Sequence, residues 1–149
     1  MNKPKPPSAE EGAYKGDVTP EVAWNILESK PSASLVDVRT DAEMLYVGMP
    51  VLDTLGKDVK LAPWVLFPGG DANPEFIVQL NTAVSDTEGQ VFFLCRSGIR
   101  SRFAAALATE LGYKDCYNIL EGFEGEKDGA GHRGLVNGWK VAGLPWKQG

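Results

Sequence analysis

The residues with the clearest chemical potential form one run, Cys95-Arg96-Ser97-Gly98-Ile99-Arg100-Ser101-Arg102. A cysteine is a good nucleophile only as its thiolate, which nearby positive charge and converging N–H groups favour. Arg96, Arg100 and Arg102 place three guanidinium groups close to the sulfur in sequence. Gly98 lets the backbone turn tightly, so that successive N–H groups can point at one centre. A helix beginning near Ser101 would add the positive end of its dipole. The same groups would hold an anionic substrate. The opposing reading, an inert core cysteine, would bury three unpaired cations beside it, which is costly.

The elements around this run place it well. Val91-Phe92-Phe93-Leu94 is a continuous run of β-formers and reads as a buried strand. Ser101 to Leu111 is rich in alanine and leucine and reads as a helix, with Gly112 as its left-handed C-terminal cap. Cys95 therefore stands between a strand and the helix after it, where ligands bind in open parallel sheets. Ser34 to Val38 and Cys116 to Leu120 read as further strands, and Val59 to Leu61 as a short one. Thr19-Pro20-Glu21 and Asn73-Pro74-Glu75 read as helix starts, the latter followed by an apolar face of Phe76, Ile77, Leu80 and Val84. Lys30-Pro31 ends the first of these helices. Strands alternating with helices predict an α/β fold, a central, mostly parallel sheet with helices on both faces.

Composition limits the function classes. With 149 residues, 43% hydrophobic and 23% charged, one core and a single domain over 17–149 are expected, preceded by a disordered tail over 1–16. A net charge of −5 argues against nucleic acid or an anionic membrane as partner. No run of eighteen apolar residues predicts a membrane span. Two cysteines make no disulfide scaffold and one histidine no zinc spacing, so neither metal nor cofactor is expected, and the cytoplasm is the expected compartment. Cys116 reads as a buried filler and His132 as a solvated loop residue.

The chain resembles the rhodanese-like family. Cys95 to Arg100 is similar to that family's six-residue active-site loop, in the form associated with thiosulfate or persulfide sulfurtransferases. Leu35-Val36-Asp37-Val38-Arg39 with Glu43 resembles its earlier strand signature, and Asn118-Ile119-Leu120-Glu121-Gly122 followed by Trp139 its closing strand and glycine turn. Gly48-Met49-Pro50 departs from the family pattern, which has a histidine there. The resemblance implies a sulfurtransferase in which Cys95 carries sulfane sulfur as a persulfide. Its donor would be a small anion, thiosulfate or a persulfide, and its acceptor a thiol, a protein thiol included, or cyanide. Arg96, Ser97, Gly98, Ile99, Arg100 and Ser101 are the expected substrate-binding residues. Asp37 and Arg39 are expected in support, Asp37 either pairing with Arg96 or Arg100 or capping a turn locally. Ser101 is expected to cap its helix.

Two other readings compete. Protein tyrosine phosphatases and arsenate-type reductases use a similar cysteine loop, but the phosphatases place five residues between cysteine and arginine where this chain has four, Arg96 to Ile99. One residue adds about 3.5 Å of chain, enough to change the cradle's radius, and the shorter ring suits one sulfur atom better than a tetrahedral oxyanion. A non-catalytic partner-binding module of the same fold would have no use for the intact cysteine and arginines.

Overall fold

The computed structural model describes residues 14–148. In chain order the elements are β1 (Gly16–Val18), α1 (Pro20–Ser29), β2 (Ser34–Asp37), α2 (Asp41–Val47), β3 (Met49–Pro50), a 3-10 turn at Asp53–Leu55, β4 (Lys60–Leu61), β5 (Val65–Leu66), β6 (Asp71–Ala72), α3 (Phe76–Ala83), β7 (Gln90–Leu94), α4 (Arg100–Glu110), β8 (Asp115–Ile119) and β9 (Trp146–Lys147). Up to residue 13 the tail expected over 1–16 lies outside the described residues; Gly16 is in a strand, opposite Tyr117.

Five strands form one parallel sheet in the order β1-β8-β7-β2-β4. Strands β2 and β7 lie in its interior, and their side chains alternate between two cores. Val36, Val91 and Phe93 pack against Phe76, Leu80 and Val84 at α3 and against Ala104, Ala105 and Ala108 of α4. Leu35, Phe92 and Leu94 face the other way, onto Ala23 and Leu27 of α1 and onto Phe123 and Trp139. The sheet is thus covered on both faces, as the alternation of elements predicted. Among the described residues no helix is long and apolar enough to cross a membrane.

Helix α1 starts as expected, with the Val22 amide donating to Thr19 Oγ1 at 3.2 Å and Pro20 in the first position. The second expected start is displaced. Asn73 Oδ1 accepts from the Glu75 amide in a local turn, and its Nδ2 donates to Pro63 O and Gln79 Oε1, so the helix opens only at Phe76. Ile77 is exposed, because residues four apart, Phe76, Leu80 and Val84, already complete the face toward the sheet. Helix α4 begins at Arg100 with Ile99 as its N-cap and no side-chain cap, so Ser101 is not a capping residue. Helix α2 is an element that apolar periodicity did not reveal. It is set by a capping box, in which the Glu43 amide donates to Thr40 Oγ1 and the Thr40 amide to Glu43 Oε1.

Candidate active site

The carboxyl ends of β2, β7 and β8 meet at one edge of the sheet, and the candidate residues assemble there. Cys95 follows the last residue of β7 and is 1% exposed. Its carbonyl accepts from the Phe123 amide (2.8 Å), and the Arg96 carbonyl accepts from Glu124 (2.9 Å) and Gly125 (3.2 Å). The segment after β8 therefore holds the start of the loop from beneath. A Cβ at Gly122 would overlap the Cys95 carbonyl oxygen, so only glycine allows this approach. Beyond Ser97 the chain reverses at Gly98, at φ +97°, and the Gly98 amide donates to Cys95 Sγ at 3.1 Å. This one loop amide lies within hydrogen-bond reach of the sulfur among the described contacts. Ser101, fully buried in the first turn of α4, places its Oγ 3.2 Å from Sγ.

For Asp37 the local expectation holds: its Oδ1 accepts from the Arg39 amide at 3.1 Å and so caps the turn after β2. It meets neither Arg96 nor Arg100. Its carboxylate takes the side chain of Arg39, Nε to Oδ1 at 2.9 Å and Nη2 to Oδ2 at 2.7 Å, with both side chains wholly buried. The Arg39 guanidinium lies 4.3 Å from the centre of the Phe123 ring, a cation–π contact that joins the end of β2 to the segment under the loop. Arg100 faces α2, where Glu43 receives its Nη1 at 2.9 Å and Nη2 at 2.8 Å. That fork fixes the far end of the loop. Arg96 is exposed and makes no ion pair among the described residues, Ser97 is half-buried, and Ile99 is exposed.

Burial pushes the Glu43 carboxyl up, but the hydrogen bonds from Arg100 and Thr40 outweigh it and hold it at about 2. Its hydrogen bonds to Glu43 raise the Arg100 guanidinium against the opposing effect of burial. A carboxylate held below its unfolded value stabilises the fold above about pH 4.5 and loses that contribution as the pH falls toward 2. Solvent at this partly exposed pair screens the effect to about 1 kcal/mol. Thermal unfolding followed from pH 6 to about pH 2 should therefore show a steeper loss in the native chain than in Glu43→Gln. Equal slopes would remove the ion pair from any stabilising role.

Cys116 and His132 stay apart from this cluster. Cys116 pairs in register with Val91, four residues before Cys95, which separates the two cysteines by about 13 Å along the sheet. Disulfide geometry requires Cα atoms within about 7 Å. Burial pushes the Cys116 thiol up to about 11. His132 is exposed, and its amide donates to Asp128 Oδ1 in the glycine-rich segment. Among the described residues no group of three or more His, Cys, Asp or Glu side chains is placed to hold a metal ion.

Sequence reasoning missed two residues of the cluster. Asn118 is fully buried in β8; its Oδ1 accepts from Ser101 Oγ at 2.5 Å and its Nδ2 donates to Asp17 Oδ1 at 3.0 Å. These contacts cross 17 and 101 positions of chain, so no local pattern announces them.

The family described as the STR4 middle domain matches residues 15–149. The crystal structure of Rv0390 from M. tuberculosis is similar with a TM-score of 0.85 and 47% identity, covering 91% of this chain and 99% of that one. An uncharacterized protein of Rickettsia conorii is 41% identical over 126 residues, 84% of this chain and 91% of its own. The thiosulfate sulfurtransferase GlpE of Actinobacillus succinogenes is 30% identical over 129 residues, 87% of each chain.

Proposed function

The chain belongs to the family of the STR4 middle domain, of rhodanese-like fold, and from that premise we propose that it is a sulfurtransferase carrying sulfane sulfur on Cys95. The observation that carries this reading is the Cys95 sulfur itself, at the carboxyl edge of the sheet, facing the Gly98 amide inside a loop with four residues between cysteine and arginine. Its likeness to GlpE supports thiosulfate as a donor. The near-complete burial of Cys95 favours a donor whose reacting atom is a single terminal sulfur over a bulky ester.

In the first step the Cys95 thiolate attacks the outer sulfur of thiosulfate or of a persulfide. A bond forms between Sγ and that sulfur, the donor's S–S bond breaks, and sulfite or a thiolate leaves with the electron pair. The Gly98 amide and the amino end of α4 stabilise charge near the transferred atom. In the second step a thiol, a protein thiol included, or cyanide attacks the outer sulfur and Cys95 departs as thiolate. This is covalent catalysis in two half-reactions. With Arg100 engaged by Glu43, the donor's anionic end falls to Arg96, whose free guanidinium offers planar donors for oxyanions. The chain works as one domain in the cytoplasm, with β1 from Gly16 as part of its sheet rather than of the tail, and takes neither cofactor, nucleic acid nor membrane as partner.

Intact-protein mass after incubation with thiosulfate tests the reading. One added sulfur atom is expected, removed by cyanide and absent in Cys95→Ser. Release of phosphate from an aryl phosphate with no sulfur adduct would replace it with the phosphatase reading, and neither result would leave a binding module.

A further inference from the structure

The sulfur of Cys95 touches a hydroxyl whose orientation is decided elsewhere. Ser101 Oγ lies between Cys95 Sγ at 3.2 Å and Asn118 Oδ1 at 2.5 Å. A side-chain amide can turn about to offer either its oxygen or its nitrogen to a neighbour. At Asn118 that choice is closed, because its other end faces Asp17, whose carboxylate accepts only and takes Nδ2 at 3.0 Å. The same Asp17 oxygen accepts from the Tyr14 hydroxyl at 2.8 Å, which holds the carboxylate in place. Asn118 must therefore present oxygen to Ser101. Serine has one hydrogen, and that oxygen claims it. What Ser101 offers to Cys95 is a lone pair.

We propose that Asp17 and Asn118 are positioning residues that turn the Ser101 hydroxyl away from Cys95 and so restrain the free sulfur between turnovers. The inference rests on the sulfur-transfer reading for its purpose and on hydrogen-bond geometry alone for its operation. A thiol fits the arrangement: Sγ accepts from Gly98 and gives its hydrogen to Ser101. A thiolate does not, since its charge then faces a lone pair, and the hydroxyl turns toward it only by leaving Asn118 without a donor in a buried site. In the persulfide the charge moves to the outer sulfur, one atom further from Ser101, and the conflict weakens. The network thus discriminates against charge on Sγ more than against charge on the carried atom. The groups that bring charge near the sulfur, Arg100 of α4 with Glu43 of α2, Arg96 of the loop and the Asp37–Arg39 pair after β2, are separate from this network.

The test is the rate at which iodoacetamide alkylates Cys95 at pH 7 in the full chain. Asp17 is exposed on β1, so Asp17→Ala spares the cores while freeing the Asn118 amide to turn. Nitrogen then faces Ser101, the hydroxyl hydrogen passes to the sulfur, and alkylation should rise about three- to tenfold. In a Ser101→Ala background the same substitution should change nothing, because no hydroxyl remains to be turned. An unchanged or lower rate in Asp17→Ala, or the same ratio in both backgrounds, overturns the proposal. Alkylation needs no sulfur donor. A chain that never forms a sulfur adduct would end the sulfurtransferase reading while this measurement still reports, and a chain that forms the adduct without the alkylation response would end only this inference.

Discussion

Replacing Asp37 with alanine is expected to cost the domain about 3–5 kcal/mol of stability, because it strands a buried cation. Arg39 is wholly buried, Asp37 supplies its hydrogen bonds, and its Nη1 already lacks a partner among the described residues. With the carboxylate gone, the guanidinium keeps only the Phe123 face, a contact worth about 2 kcal/mol when desolvated. The cost arises from the orphaned charge rather than from the lost pair. Removing both partners together, Asp37→Ala with Arg39→Met, should therefore recover a substantial part of the loss. Urea unfolding of the three variants measures this. A double variant as unstable as the sum of its parts would show that Asp37 matters through something other than Arg39.

Gly122→Ala should reduce sulfur transfer about 100-fold while leaving every side chain of the cluster in the sequence. The methyl group would lie 2.6 Å from the Arg96 carbonyl oxygen and closer still to that of Cys95. Those atoms are backbone and cannot rotate away, so the loop or the segment beneath it must shift. Either movement alters the Phe123-to-Cys95 and Glu124-to-Arg96 hydrogen bonds that set the height of the sulfur above the sheet. Gly129→Ala is the control, since its added carbon would meet nothing within 4 Å. Thiosulfate:cyanide turnover of the two variants decides the matter. Near-native activity in Gly122→Ala would mean that the loop does not depend on this contact.

What could be read from the residues, and what could not, follows the range of each interaction. The strand Val91–Leu94, the turn at Gly98 and the alanine-rich helix are local patterns, and they place Cys95 at the sheet edge before any coordinates are known. The Thr19-Pro20 start is equally local. Helix α2 was legible in principle, because Thr40 followed three residues later by Glu43 is a capping box, but its seven residues carry little apolar periodicity. The partners of the site residues were not legible. Glu43 meets Arg100 across 57 positions, and Asn118 meets Asp17 across 101, distances that only the strand order closes. Ser101 shows the difficulty most plainly: a serine near a helix start suggests a cap, and the neighbours that give it another task come from two separate strands.

The register that places Cys116 opposite Val91 has a bearing on oxidation. A sulfenic acid is normally rescued when a nearby thiol condenses with it. Here the second thiol is too far along the sheet and too deeply buried to respond. Peroxide damage at position 95 must then be reversed by a thiol from outside the chain, small or protein-borne, and the domain's redox resilience is a property of its surroundings.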